Sequence, residues 1–214
     1  LPNYRPALQS GEQYGIDVSR HQAEINWTAV AQDDIGFAYI KATEGMDYVD
    51  PNFARNWTGA RDAGVARSAY HFFSLCSPGE AQARNFLQVL REQGDDPRAL
   101  PMPLAVDLEF SACTERPPAA EFQRELTAFM STVEAATGRA MLVYSVPSFA
   151  ERYPVAELQT RERWHRNLFR RPSHDDWTIW QASDVARIDG IDGATEQTRT
   201  AGLIGLVTQQ IYDY

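Results

Sequence analysis

The sequence predicts an α/β protein whose chain forms a single β/α (TIM-like) barrel. Short apolar runs that suit buried strands alternate with amphipathic helical segments, which is typical of parallel strands joined by crossover helices. The length of 214 residues is sufficient for one such domain. Polar side chains recur where the strands end, and in a barrel these ends meet at one face. Residues 1–13 are polar and predict an irregular arm, which leaves 14–214 as the barrel domain.

The strands are predicted from apolar runs rich in β-branched and aromatic residues and bounded by turn residues. They are expected at 14–18, 35–40, 65–73, 104–109, 140–145, within 164–170, and at 177–181.

The helices are predicted from apolar stripes and from their end signals. Asp50 is expected to be the N-cap of a helix that stops at Gly64. Ser77 and Glu80 have the spacing of a capping box at the start of the next helix. The other helical segments are expected at 27–33, from 119 to 138, irregularly within 147–163, and at 202–214.

Two carboxylates end the central strand, which reads PLAVDLEF. Asp107 and Glu109 are two residues apart, so their side chains project from the same face of the strand while Leu108 faces away. Close carboxyl groups drive their pKa values apart, which provides an acid and a base for glycoside hydrolysis. Pairs of acidic residues are also common where strands lead into ordinary loops, so this pair alone does not establish catalysis. The prediction depends on whether other residues of the chain converge on the same site.

Further polar and aromatic residues are expected around the same bowl. The candidate groups at or near strand ends are Asp17, Glu44, Tyr39, His71, Tyr144, Trp180 and Gln181. Each has an alternative structural role, because aromatic residues and a lone histidine in strands usually belong to the core. Trp180 and Gln181 are adjacent in one strand, so only one of them is expected to face the bowl.

Composition excludes several classes of function. The net charge of -9 argues against a nucleic-acid-binding protein. No apolar run is long enough to span a membrane. The cysteine and histidine spacings do not form a metal site, and we expect neither a metal nor another cofactor. The chain is expected to be a monomer.

Cys76 and Cys113 each follow a predicted strand. If these strands are neighbours, a disulfide is geometrically plausible and indicates an oxidising compartment; the alternative is two free thiols in a cytosolic protein. The opening LPNYRPALQS does not have the pattern of a signal peptide, and we expect a secreted or periplasmic protein whose signal peptide is not in this chain.

A set of segments in this order resembles glycoside hydrolase family 25, the Chalaropsis-type lysozymes. The segments are YGIDVSRHQAEINW, FAYIKATEG, DPNFARNWTGARDAGVARSAYHFF, PLAVDLEF, LVYS and WTIWQAS. The resemblance covers roughly residues 14–193 and implies a flattened, irregular barrel. It also implies that Glu109 is the proton donor, that Asp107 assists it and that Asp17 lines the same cleft. SLCSPGEAQA and SACTERPP resemble the Gram-negative branch of the family, in which this cysteine pair recurs.

The sequence departs from the family pattern in its last quarter. Where an Asp is expected the chain has Thr195, followed by Glu196, and the segment RNLFRRPSHDD lacks the usual W-x-A-x-Y.

Three hypotheses for the function follow from the sequence. The first is a muramidase that acts on peptidoglycan glycan strands, with carboxylate acid catalysis assisted by the substrate N-acetyl group. The second is a glycosidase for another N-acetylated polysaccharide such as chitin. The third is a non-catalytic module that binds cell wall or a protein inhibitor.

Overall fold

The computed structural model describes most of the chain. The described residues are 4–22, 24–110, 113–154, 160–173 and 177–191, with the backbone of 200–207. The strands are β1 (Glu12–Val18), β2 (Ile35–Glu44), β3 (Tyr48–Val49), β4 (Ala66–Phe72), β5 (Ala105–Leu108), β6 (Leu142–Ser145), β7 (Arg163–Arg166), β8 (Ile179–Arg187) and β9 (Thr200–Val207). The α-helices in this part of the chain are α1 (Trp27–Gln32), α2 (Phe53–Asp62), α3 (Gly79–Glu92), α4 (Ala119–Thr137) and α5 (Pro147–Arg152).

The sheet closes on itself. Its strands follow the order β1-β9-β8-β7-β6-β5-β4-β2, and the pairing of β2 with β1 completes a ring of eight strands. The six pairings from β1 through β2, β4, β5, β6 and β7 to β8 are all parallel. The predicted β/α barrel is therefore confirmed, as a single flattened α/β barrel.

The predicted C-terminal helix is wrong where the structure describes it. Residues 200–207 form strand β9, which is antiparallel to both β8 and β1. Without β9, these two strands would each expose a row of unpaired backbone groups, and β9 satisfies both rows at once. The expectation that every strand would be parallel is therefore wrong for β9. It is also wrong for the short strand β3, which pairs antiparallel with β2. Residues 208–214 lie outside the described residues.

Two predicted helix caps are also wrong. Asp50 does not cap α2 but accepts hydrogen bonds from the backbone N–H groups of Arg20 and Asn52, at 2.8 and 2.9 Å, and so joins two loops. At α3, the backbone N–H of Gly79 donates to the carboxylate of Glu125 on α4, at 2.8 Å. The two helices approach so closely that a Cβ atom at Gly79 would lie 1.8 Å from the Glu125 carbonyl oxygen. A carboxylate from the neighbouring helix therefore replaces the local cap.

Apolar side chains fill both faces of the sheet. The larger core lies between the sheet and the helices and includes Phe73, Phe86 and Phe129. A smaller core inside the ring includes Phe37, Tyr39 and Trp164. The Phe37 ring occupies the space in front of Gly15, where an added Cβ atom would lie 2.2 Å away. The interior is thus filled at the end where the strands begin, which leaves the carboxyl ends for a site.

Cys76 and Cys113 form a disulfide, with their Cα atoms 6.0 Å apart. The bond joins the segments that follow the neighbouring strands β4 and β5. In the chain-entropy view, closing a loop of this length stabilises the fold by about 3–4 kcal/mol.

Candidate active site

Three carboxylates meet at the carboxyl ends of the parallel strands. Asp17 from β1, Asp107 from β5 and Glu109 just beyond β5 line one cavity of about 100 Å³, which we call the carboxylate cavity. Asp107 and Glu109 reach it together because they are two residues apart on an extended chain. Strand register brings β1 to the same end of the ring, since parallel strands finish at one face.

Asp107 is the more deeply placed of the two neighbours. It is 8% exposed, and its carboxyl oxygen Oδ1 has no hydrogen-bond partner among the residues that the structure describes. Glu109 is only partly buried. An unsatisfied buried carboxyl oxygen is costly for folding and is therefore a candidate for function.

Burial raises the pKa of both carboxyl groups. The pKa of Asp107 lies well above its ordinary value, first because of desolvation and then because of the charge of Glu109. Desolvation also raises the pKa of Glu109, against the opposing charges of Arg166 and Lys41. Because the two groups interact, they titrate as a pair, and the pair retains a proton above the usual carboxyl range. Such a pair can supply a proton to a substrate.

A hydrogen-bond chain runs along the cavity from Tyr144, the register partner of Asp107, through Gln181 to Asp17. The hydroxyl of Tyr144 donates to Gln181 Oε1 at 3.1 Å, and Gln181 Nε2 donates to Asp17 Oδ2 at 3.1 Å. Desolvation, partly offset by the Gln181 hydrogen bond, raises the pKa of Asp17 to about 6. Tyr144 and Gln181 are thus brought to the site as predicted from the sequence, and Gln181 is the member of its adjacent pair that faces inward.

His71 was expected in the bowl and is instead on the other side of the sheet. Its ring is fully buried and packs on Phe86 and Phe129 of the surrounding helices, with centroid separations of 5.5 and 4.7 Å. Thr43 donates to Nδ1 at 2.7 Å, and Nε2 donates to Gln82 at 3.0 Å. His71 is therefore a hydrogen-bonded core residue, the alternative that its position in an apolar strand allowed.

Tyr39 and Trp180 do not line the carboxylate cavity either. Tyr39 is inside the ring but fully buried below the site, where its hydroxyl donates to the Pro103 carbonyl at 2.9 Å. Trp180 faces outward, packs on Trp177, and its indole N–H donates to the Asn167 carbonyl at 2.8 Å. Neither ring is exposed enough to stack on a sugar, because Trp180 is 1% and Tyr39 0% exposed.

Glu44 lies beside the carboxylate cavity rather than in it. Its carboxylate forms an ion pair with Lys41 at 2.7 Å. Both side chains line a second cavity of about 290 Å³, together with Arg20 and Tyr48. The charges of Glu44 and Lys41 still act on Asp107 and Glu109, so this pair belongs to the electrostatic surroundings of the site.

Three residues at or near the site were not predicted from the sequence: two aromatic residues that line the cavity and one arginine. Tyr70 and Trp164 line the carboxylate cavity, and Arg166 lies near enough to Glu109 to influence its pKa. Alternation places Tyr70 and His71 on opposite faces of β4, but an apolar strand buried on both sides does not reveal which face is inward. In the folded sheet Phe72 lies opposite Asp107, so Phe72 and Tyr70, two residues before it, face inward. This pairing between β4 and β5 cannot be read from the sequence of β4 alone.

The described residues lack the features of two other classes of site. No group of three His, Cys, Asp or Glu side chains among them is arranged to hold a metal ion. None of the helices in this part of the chain is both long and apolar enough to cross a bilayer. Thr195 and Glu196, where the sequence departs from the family pattern, lie outside the described residues.

A closed β/α barrel with a carboxyl pair at the carboxyl ends of its strands is typical of barrel-type glycoside hydrolases. Residues 16–191 match the family described as Glycosyl hydrolases family 25. The chain belongs to this family.

The chain is similar to other proteins over most of its length, two of which are named lysozymes. The chain is 38% identical over 192 residues to the uncharacterised protein YegX of Escherichia coli K12, covering 86% of this chain and 67% of YegX. It is 33% identical over 211 residues to Lysozyme M1 of Streptomyces globisporus, covering 92% of this chain and 70% of that protein. The bacterial lysozyme of Streptomyces coelicolor has the same fold, with a TM-score of 0.79 at 26% identity over 95% of this chain and 97% of that one.

Proposed function

We propose that this protein is an N-acetylmuramidase that cleaves the β-1,4 bond between N-acetylmuramic acid and N-acetylglucosamine in peptidoglycan. The proposal rests on the observation that Asp107 and Glu109 share one inner face of the barrel and line one cavity together with Asp17. The relative Lysozyme M1, which the chain matches over 92% of its length, supports the same substrate class.

In the proposed reaction Glu109 is the proton donor. It is less buried than Asp107, so a glycosidic oxygen entering the cavity can reach it. Glu109 gives its proton to that oxygen while the bond from the oxygen to the sugar C1 breaks. The carbonyl oxygen of the substrate N-acetyl group attacks C1 and forms a cyclic intermediate. Water then opens this intermediate, and Glu109 takes up the proton that the water loses.

Asp107 is proposed to act on the N-acetyl group, whose N–H needs an acceptor when positive charge develops on it. The unpartnered Oδ1 of Asp107 is a suitable acceptor when the proton that the pair shares is on Glu109, the arrangement that the proposed reaction requires. Asp17, fixed by Gln181, is proposed to hold the same sugar from strand β1. This arrangement is a substrate-assisted route, an exception to hydrolysis by two protein carboxylates.

The protein is proposed to act outside the cytoplasm, as a secreted or periplasmic enzyme. The Cys76–Cys113 disulfide supports this location, because disulfides persist in oxidising compartments. Its proposed macromolecular partner is the peptidoglycan glycan strand.

A release assay with two insoluble substrates tests the proposal. The purified protein is incubated with peptidoglycan and with chitin, and new reducing ends are identified by mass spectrometry. Products ending in reducing N-acetylmuramic acid are expected from peptidoglycan, and none from chitin. Release from chitin alone would instead indicate a chitin-type glycosidase, whereas binding to peptidoglycan without any release would indicate a non-catalytic module.

A further inference from the structure

Arg166 lies beside the carboxylate cavity, at the rim that separates it from a neighbouring cavity of about 390 Å³, which Arg166 lines. It follows Trp164 by two residues in β7, so both side chains project from the same face. Its register partner in β8 is Gln181. Trp164 and Gln181 both line the cavity, and the charge of Arg166 acts on Glu109. A guanidinium group is thus placed beside the carboxyl pair on the open side of the site.

The side chain of Arg166 is anchored but not enclosed. One of its terminal nitrogens donates to Asp184 Oδ2 at 2.9 Å, and the two side chains are 33% and 43% exposed. A guanidinium has five N–H donors in a planar fork, so this single contact within the described part of the chain leaves donors for a ligand. Lys41, the other cation near Glu109, is 14% exposed and packs over the Phe72 ring at 4.6 Å. Of these two cations, Arg166 is the more accessible.

The charge of the site makes such a cation useful. Three carboxylates line the cavity, and the whole chain carries a net charge of -9, so an anionic substrate is repelled on approach. Muramic acid differs from glucosamine by a lactyl ether that carries a carboxyl group, or a peptide with carboxyl groups of its own. Chitin has neither. An arginine is the side chain best suited to bind a carboxylate through two parallel hydrogen bonds.

We propose that Arg166 is a specificity-determining residue that binds a carboxylate on the muramic acid side chain of the substrate. The inference rests on the proposed muramidase function and adds the group by which charged and neutral glycans are distinguished. Asp184 holds the guanidinium at the rim, and the substrate carboxylate approaches its open edge.

The test compares matched substrates. Glycan strands are freed of peptide with an amidase, so that each muramic acid has a free lactyl carboxylate, and half of the material is converted to the lactyl amide with carbodiimide and ammonia. A third sample retains its peptides. For each enzyme variant, kcat/KM is measured on every substrate, and the ratio of carboxylate to amide substrate is calculated.

The ratio should fall about tenfold in Arg166→Gln, which is the size expected for losing a hydrogen bond to a charged group. Arg166→Lys should recover part of the ratio, because it keeps the charge but not the planar fork. If the peptide carboxylates are the ligand, the loss is confined to the peptide-bearing strands, and if the lactyl group is the ligand, it appears on the stripped strands.

Arg61→Gln is the matched control. Arg61 is 48% exposed, pairs with Asp62 at 3.0 Å, and lies in the last turn of α2, so the variant removes the same charge far from the site. Its ratio should equal that of the wild type. Equal losses on all three substrates in Arg166→Gln would overturn the inference, because the residue would then act only within the protein. Failure of the wild type to cleave any of the strands would instead overturn the proposed function.

Discussion

Two polar clusters, fully or partly buried, lie on opposite faces of the same sheet. The inner cluster is Asp17, Asp107 and Glu109, and the outer cluster is Thr43, His71 and Gln82. In the outer cluster each hydrogen-bonding group of His71 has a partner, and the side-chain N–H₂ of Gln82 donates to two backbone carbonyls. In the inner cluster Asp107 keeps a buried oxygen without a partner in the described part of the chain.

The difference separates a structural role from a functional one. A satisfied buried network stabilises one packing arrangement, whereas buried carboxylates that repel one another destabilise the fold and remain available to a ligand. The pKa values shift in opposite senses for the same cause. Desolvation lowers the pKa of His71 to about 3 and raises the pKa of Asp17 to about 6, since burial disfavours each charged form. Variants in the two clusters should therefore affect different observables.

The largest effect is expected for Glu109→Gln. The amide keeps the shape of the carboxyl group but has no proton to give, so kcat should fall about 10³-fold or more. Thermal unfolding should be unchanged or slightly shifted upward, because a buried charge is removed from the inner cluster. Turnover is measured on peptidoglycan and unfolding by circular dichroism. Activity like that of the wild type would refute the assignment of the proton donor.

Asp107→Asn should cause a loss close to that of Glu109→Gln if Asp107 acts on the N-acetyl group in the transition state. The double variant should then lose little more than either single one, as residues that work as a unit do. If Asp107 only adjusts the pKa of Glu109, substantial activity should remain, with a shifted pH profile. Asp17→Asn is compared in parallel. A much greater loss for Asp17→Asn would make Asp17 the partner of Glu109.

The outer cluster should show the reverse pattern. His71→Ala removes a fully buried ring and leaves Thr43 and Gln82 without their partner, which should cost about 3 kcal/mol of unfolding free energy. Its turnover at low temperature should remain near that of the wild type. Tyr70→Phe, one residue away on the inner face, is the matched comparison and should lower turnover without loss of stability. A variant of His71 that is stable but inactive would contradict the division between the clusters.

The smallest effect concerns stability and pH. The pKa of Asp17 is about 6 in the folded protein against an ordinary value of 3.8, so the folded state binds the proton more tightly than the unfolded chain. The resulting stabilisation is complete below pH 3.8 and is lost as the pH rises to 6. Asp17→Asn should therefore gain up to about 3 kcal/mol relative to the wild type above this range and nothing below it. Denaturant unfolding at both ends of the range measures the difference, and a gain at the acid end would contradict the shift.

Local patterns were sufficient wherever a residue's role depends on its near neighbours in the chain. The D-x-E spacing on an extended strand determined that Asp107 and Glu109 would share a face, because side chains alternate along any strand. The glycines at 64 and 138 correctly marked helix ends, where each has a positive φ. The order of strands and helices predicted a parallel barrel with its site at the carboxyl ends.

Tertiary structure decided what depends on partners distant in sequence. It decided that the end of the chain closes the ring as β9, because only the open edges of β1 and β8 favour a strand over a helix there. It also decided that Tyr70 faces the carboxylate cavity and His71 the helices, since a strand buried on both faces has no polar contrast to fix its orientation. Arg166 beside Glu109 is a third such case, because the register between β7 and β8 places the guanidinium at the rim.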